Sequence, residues 1–104
     1  MRTVIETEVF QRYASSIWTD SEREDFITWI AINPLAGDVI PASGGLRKVR
    51  WSRMGAGKRG GTRIVYYNAP ADGTIWLLIV YTKSKFDNLP ISFLTQLREV
   101  INHG

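Results

Sequence analysis

The chain contains no cysteine, and its one histidine, His103, lies beside the last residue of a 104-residue sequence. Without thiols there are no disulfides, no thiolate nucleophile and no thiolate metal site. With a single imidazole, paired-histidine acid–base catalysis is excluded too. No apolar stretch approaches membrane-spanning length, and Glu6 interrupts the N-terminal segment where a secretory signal requires continuous apolar residues. The expectation is a soluble, unprocessed protein with no membrane association, compatible with the cytoplasm. Low-complexity runs and internal repeats are also missing. A composition of 44% hydrophobic and 22% charged residues suits a folded globule, and 104 residues suffice for one core, so residues 1–104 are read as a single domain.

A further absence is local. Between Val39 and Ala71 there is no acidic residue, while seven cations (Arg47, Lys48, Arg50, Arg53, Lys58, Arg59 and Arg63) crowd the same interval, with Trp51, Tyr66 and Tyr67 among them. Residues 1–38 carry three basic and seven acidic groups and residues 72–104 carry three of each, so the formal net charge of +3 conceals a strong internal polarity. A concentrated positive field attracts polyanions far more than the net charge suggests, which makes nucleic acid the first partner to consider.

Periodicity places these residues on elements. Thr3 to Phe10 is rich in β-branched residues and predicts a first strand. Phe10, Tyr13, Ala14, Ile17 and Trp18 recur at helical spacing. Thr19 with Glu22 is a capping-box pattern that starts a second helix, which Pro34 ends. Leu35 to Gly45, punctuated by glycine and proline, predicts an irregular connection. Leu46 to Arg53 alternates, so that Lys48 and Arg50 face away from Val49 and Trp51. Met54 to Gly61, with four glycines, predicts a cationic hairpin loop. It leads into a strand over Thr62 to Asn68, which the turn Pro70-Ala71-Asp72-Gly73 joins to another over Thr74 to Thr82. Ile75 to Val80 is apolar on both faces, the mark of an inner strand. Asp87 or Asn88 caps a last helix, with Pro90 near its first position and Ile91, Leu94, Leu97 and Ile101 as its stripe. The fold class is α+β, in the order β-α-α-β-β-β-α, with a mostly antiparallel sheet packed with helices.

Three passages, in order, carry a likeness to known proteins: Gly44-Gly45-Leu46-Arg47-Lys48-Val49-Arg50-Trp51, then Gly57-Lys58-Arg59-Gly60-Gly61-Thr62-Arg63-Ile64-Val65-Tyr66-Tyr67, then Leu78-Ile79-Val80-Tyr81-Thr82-Lys83. Together they resemble the RelE/HigB family of toxins from bacterial type II toxin–antitoxin pairs. The glycine-basic-glycine loop followed by Arg and a Tyr pair is most similar to the HigB branch. The resemblance implies a microbial-ribonuclease-type fold and a metal-independent, cofactor-free endoribonuclease that cuts mRNA on the ribosome. It also implies a cognate antitoxin, an acidic or helix-turn-helix protein, through which any contact with DNA is made. By position, the family's cationic pair falls on Lys48 and Arg50, its transition-state arginine on Arg63, and its basic group after the last strand on Lys83, with Tyr81 close by. The catalytic tyrosine that the best-studied branch carries on its final helix has no counterpart here.

The chemistry implied needs neither metal nor nucleophilic side chain. The ribose 2′-hydroxyl attacks the adjacent phosphorus and leaves a 2′,3′-cyclic phosphate, provided that one proton is removed, another supplied, and the phosphorane-like charge stabilised. A lysine crowded by guanidiniums gives up its proton more readily, which makes Lys48 and Lys83 the candidates for proton transfer. Arg63 offers a planar fork to the phosphate. Arg47, Arg53, Lys58 and Arg59 are candidate phosphate contacts, and Trp51 and Tyr67 candidate surfaces for base stacking. Taken one at a time, such cations are ordinarily solvated strand faces and such aromatics ordinarily core. Two other readings stay open: a ParE-like toxin that inhibits DNA gyrase by binding, and a non-catalytic RNA-binding module.

Overall fold

The computed structural model describes residues 2–52, 61–86 and 88–103. Its first strand, β1 (Thr3–Glu6), stops four residues into the expected segment because Thr7 becomes a helix cap. The Thr7 hydroxyl accepts from the Phe10 N–H at 3.3 Å and donates to the Leu77 carbonyl at 2.8 Å. One side chain therefore starts α1 (Glu8–Ile17) and ties it to a strand seventy residues away. The second helix, α2 (Asp20–Ile32), opens on the complete capping box: Glu22 N–H donates to Thr19 Oγ1 at 3.1 Å and Thr19 N–H to Glu22 Oε1 at 3.0 Å. An ion pair of 2.7 Å between Arg23 and Glu6 joins this helix to β1.

The remaining elements are β2 (Asp38–Val39), β3 (Arg47–Trp51), β4 (Thr62–Ala69), β5 (Thr74–Thr82) and α3 (Ile91–His103). They form a five-stranded sheet in the order β1-β5-β4-β3-β2, in which β1 runs parallel to β5 and every other pairing is antiparallel. β5 lies between β1 and β4, as its two apolar faces require. The short edge strand β2 is an addition to the sequence expectation, arising within the predicted irregular connection. Asp38 and Val39 pair with Lys48 and Arg47. Arg53, Lys58, Arg59 and the rest of the predicted hairpin loop except Gly61 lie outside the described residues, as does the proposed cap Asp87.

Each face of the sheet buries its own cluster. On one side, Phe10, Ala14 and Trp18 of the α1 segment and Phe26 and Ile30 of α2 cover Val49, Ile64, Tyr66, Ile75, Leu77 and Val80. On the other, Leu94 and Leu97 of α3 cover Leu46, Val65, Leu78, Ile79 and Tyr81. Strict alternation cannot put Leu78 and Ile79 on the same side. The register resolves this: Val65 pairs with Ile79 but Tyr66 with Leu77, leaving Leu78 as the extra residue of a bulge. The strand is thereby rephased, and Tyr81 joins the α3 side.

The connection before β3 is held by a buried phenol. Tyr66, with no exposed surface, donates to the Pro34 carbonyl at 2.8 Å and accepts from the Gly37 N–H at 3.0 Å. Arg47 closes the same turn by donating to the Gly37 carbonyl at 2.7 Å. A Cβ at Gly37 would sit 2.8 Å from the Lys48 carbonyl oxygen, so only glycine fits.

Candidate active site

Strand register brings four of the sequence candidates onto the α3 side of the sheet. Arg50 of β3 stands opposite Arg63 of β4, and Arg63 stands opposite Tyr81 of β5. Lys48, two residues before Arg50 and opposite Val65, shares that side. Arg50 is exposed, whereas Lys48 and Arg63 are half-buried. Tyr81 is 1% exposed and forms a floor, its ring meeting Phe86 edge-on at 5.9 Å. Burial pushes the Tyr81 phenol above its ordinary pKa, and the nearby Arg63 charge pulls only partly the other way. At neutral pH the phenol is therefore uncharged.

A groove of about 710 Å³ runs around the end of the sheet where β3 and β5 finish and β4 begins. Arg63 and Tyr81 enter it from the α3 side. The turn after β5 adds Lys83, Ser84 and Lys85. That turn is tight, because the N–H groups of Lys85 and Phe86 both donate to the Thr82 carbonyl, at 3.1 and 3.2 Å, and it leaves the Lys83 side chain exposed. Trp18 and Trp51 enter from the α1–α2 side, with Ile17 and Glu22 beside them. Trp51 is half-buried and wedged edge-to-face against Trp18 at 5.5 Å and Phe26 at 5.4 Å. Lys48 and Arg50 are not part of the lining. They flank it on the open face of β3.

Two of the sequence candidates are placed elsewhere. Arg47 points to the other side of β3, where its guanidinium holds the Gly37 carbonyl. Tyr67 lies four residues along β4 from Arg63, about 13 Å at strand spacing. The Arg98 guanidinium covers its ring at 4.4 Å while donating through Nε to the Gly44 carbonyl at 3.2 Å. Arg53, Lys58 and Arg59 lie outside the described residues. Tyr13, Ser16, Ile17, Glu22 and Lys85 line the groove without having been singled out for it. Glu22 was legible as a cap, and nothing local tells that the first turn of α2 reaches the end of the sheet.

The arrangement is a cationic row next to a groove that mixes guanidinium, ammonium, hydroxyl and aromatic groups, a combination suited to a nucleotide's phosphate and base. Among the described residues no cluster of three or more histidine or acidic side chains is arranged to hold a metal ion. No helix among them is long and apolar enough to cross a membrane.

No family model matches the sequence. Solved structures do resemble it. An arginine-to-alanine double mutant of the E. coli toxin RelE in the free state superposes with a TM-score of 0.62 over 93% of this chain and 96% of its own, at 12% identity. A metal-bound toxin from Helicobacter pylori gives 0.50 over 83% and 99%, also at 12% identity. The RelBE2 toxin–antitoxin complex from Mycobacterium tuberculosis gives 0.47 over 78% and 96%, at 20% identity. The α+β architecture, with its mixed, mostly antiparallel five-stranded sheet, is the RelE-like fold.

Proposed function

We propose that this chain is the toxin of a bacterial type II toxin–antitoxin pair, related to the HigB branch, and that it cleaves mRNA on the ribosome. The observation that carries the reading is the cross-strand row Arg50, Arg63 and Tyr81 beside an open groove that also takes in Lys83. Arg63 grips the scissile phosphate and stabilises the charge that develops as the 2′ oxygen attacks. Lys48 and Lys83, on either side of it, handle the two protons. Arg50 adds a second positive charge, and Tyr81 acts through Arg63 by fixing its position. None of these groups aligns the 2′ oxygen with the departing 5′ oxygen. The ribosome supplies that alignment, which is the larger part of the barrier.

A cytoplasmic protein with this activity requires a tightly bound antitoxin, of the acidic or helix-turn-helix kind. The decisive experiment is purified protein with translated and with naked message, scored for cleavage and for 2′,3′-cyclic phosphate ends. Cutting that depends on ribosomes is the expected result, and unaided induction in bacteria should arrest growth by stopping translation. Equal cleavage of naked RNA refutes the division of labour with the ribosome. Gyrase-linked DNA damage without cleavage moves the chain to the ParE-like reading, and binding without either moves it to an RNA-binding module.

A further inference from the structure

Lys83 reaches the groove from a turn, whereas Arg63 and Tyr81 reach it from strands. Register fixes a strand side chain in place. A side chain on a turn is placed by whatever holds the turn. The local contacts here are the N–H groups of Lys85 and Phe86, which donate to the Thr82 carbonyl at 3.1 and 3.2 Å, and a hydrogen bond of 3.0 Å between the hydroxyls of Thr82 and Ser84. All of these run within residues 82–86, so they set the form of the turn and not its angle to the sheet. Phe86 supplies the link to the rest of the fold. Its half-buried ring meets Tyr81 of β5 edge-on at 5.9 Å and tilts against Tyr13 of α1 at 6.4 Å. Those two elements are themselves tied together, because the Thr7 hydroxyl that caps α1 donates to the Leu77 carbonyl of β5.

We infer that Phe86 is a positioning residue: wedged between Tyr13 and Tyr81, its ring sets the angle at which the turn leaves β5 and so the place of the Lys83 ammonium in the groove. The inference rests on the ribonuclease reading above and adds to it a side chain that does not line the groove and touches neither RNA nor the reacting atoms. Truncating Phe86 leaves Tyr81 where it is, because pairing with Arg63 and near-complete burial among Val65, Ile79 and Leu94 hold it independently. The turn is left with its internal bonds. Moving a group that transfers a proton by about 1 Å can cost on the order of a hundredfold in rate, so a loose turn is felt in the chemistry before it is felt in the fold.

The test is a double-mutant cycle read in single-turnover cleavage of ribosome-bound message at saturating protein. Phe86→Ala should slow cleavage by about tenfold or more with ribosome affinity unchanged, and Lys83→Ala by about a hundredfold. With Lys83 already replaced there is no ammonium left to misplace, so adding Phe86→Ala should then cost less than about twofold. A residue that only supported the core would slow both backgrounds equally. Equal losses therefore overturn the inference, as does wild-type cleavage by either single variant. A second measurement needs no cleavage: backbone amide order parameters at Lys83 and Ser84 should fall from about 0.85 to below about 0.6 in Phe86→Ala, and unchanged values overturn the clamp. Should Phe86→Ala fail to fold, Phe86→Leu carries the same measurements, since it keeps a large apolar side chain and gives up both ring contacts. Ribosome-dependent cleavage with equal losses in both backgrounds removes the positioning role and leaves the ribonuclease reading standing. A protein that cuts nothing, yet loses the order of this turn in Phe86→Ala, does the reverse.

Discussion

Arg50 and Arg63 face one another directly across β3 and β4, on the side of the sheet that also carries Tyr81. Like charges at directly opposed positions destabilise a sheet, so the pair favours any anion laid over it. Arg50→Gln should therefore weaken RNA binding most at low salt. The log–log salt dependence should fall by about 0.7, the single-strand value for one phosphate no longer neutralised. Titrations at several salt concentrations measure the slope directly, and an unaltered slope places the phosphate path elsewhere.

Arg63 has a different signature. Arg63→Ala should leave ribosome affinity nearly intact yet remove about 3 kcal/mol of transition-state stabilisation, upwards of a hundredfold in rate. Single-turnover cleavage of ribosome-bound message at saturating protein separates the two quantities. Wild-type cleavage by the bound variant would take the chemistry away from β4.

Tyr66 and Gly37 govern stability rather than chemistry. Tyr66→Phe strands the buried Gly37 N–H and the Pro34 carbonyl, and should cost about 2 kcal/mol in urea unfolding, seen as a lower midpoint at unchanged slope. Gly37→Ala forces Cβ against the Lys48 carbonyl and should be the more damaging of the two, since backbone rather than a side chain must yield.

Alkaline pH supplies a fourth expectation. Burial raises both Tyr66 and Tyr81 above the ordinary tyrosine value of 10.0. The native state keeps these protons after the unfolded chain has begun to release them. Their contribution is thus complete below pH 10 and is lost as pH climbs through the raised native values. Urea midpoints should begin to fall as pH rises past the ordinary tyrosine value of 10.0, and Tyr81→Phe, which has no phenol to ionise, should flatten the decline.

The parts of this fold that declare themselves locally were readable in the sequence. β4 and β5 have continuous β-branched and aromatic runs joined by Pro70-Ala71-Asp72-Gly73, and the Thr19–Glu22 box stands where it should. β2 was not readable, because two residues become a strand only when Lys48 and Arg47 lie beside them. Thr7 has strand propensity but is recruited by the Leu77 carbonyl, a contact no local window contains. The site follows the same division. Lys48 and Arg50 could be assigned to one side of β3 from alternation alone, whereas Arg63 joins them only through the register of β3 with β4, and the groove's aromatic side needed the tertiary meeting of α1, α2 and the end of β3. Trp51 illustrates the difference: alternation sets it on the face opposite Lys48 and Arg50, but only the tertiary structure shows that Trp18 and Phe26 hold it half inside.

The bulge at Leu78 sets which way the end of β5 faces. Were Ile75 to Tyr81 to alternate regularly with all their residues, Tyr81 would turn toward α1, away from Arg63. Taking Leu78 out removes the extra residue and the phase shift together, so every remaining pairing with β4, Arg63 with Tyr81 included, can be kept. Leu78 is therefore the place where β5 can differ in length by one residue among descendants of this chain, and an alignment that opens a one-residue gap there agrees with the pairing.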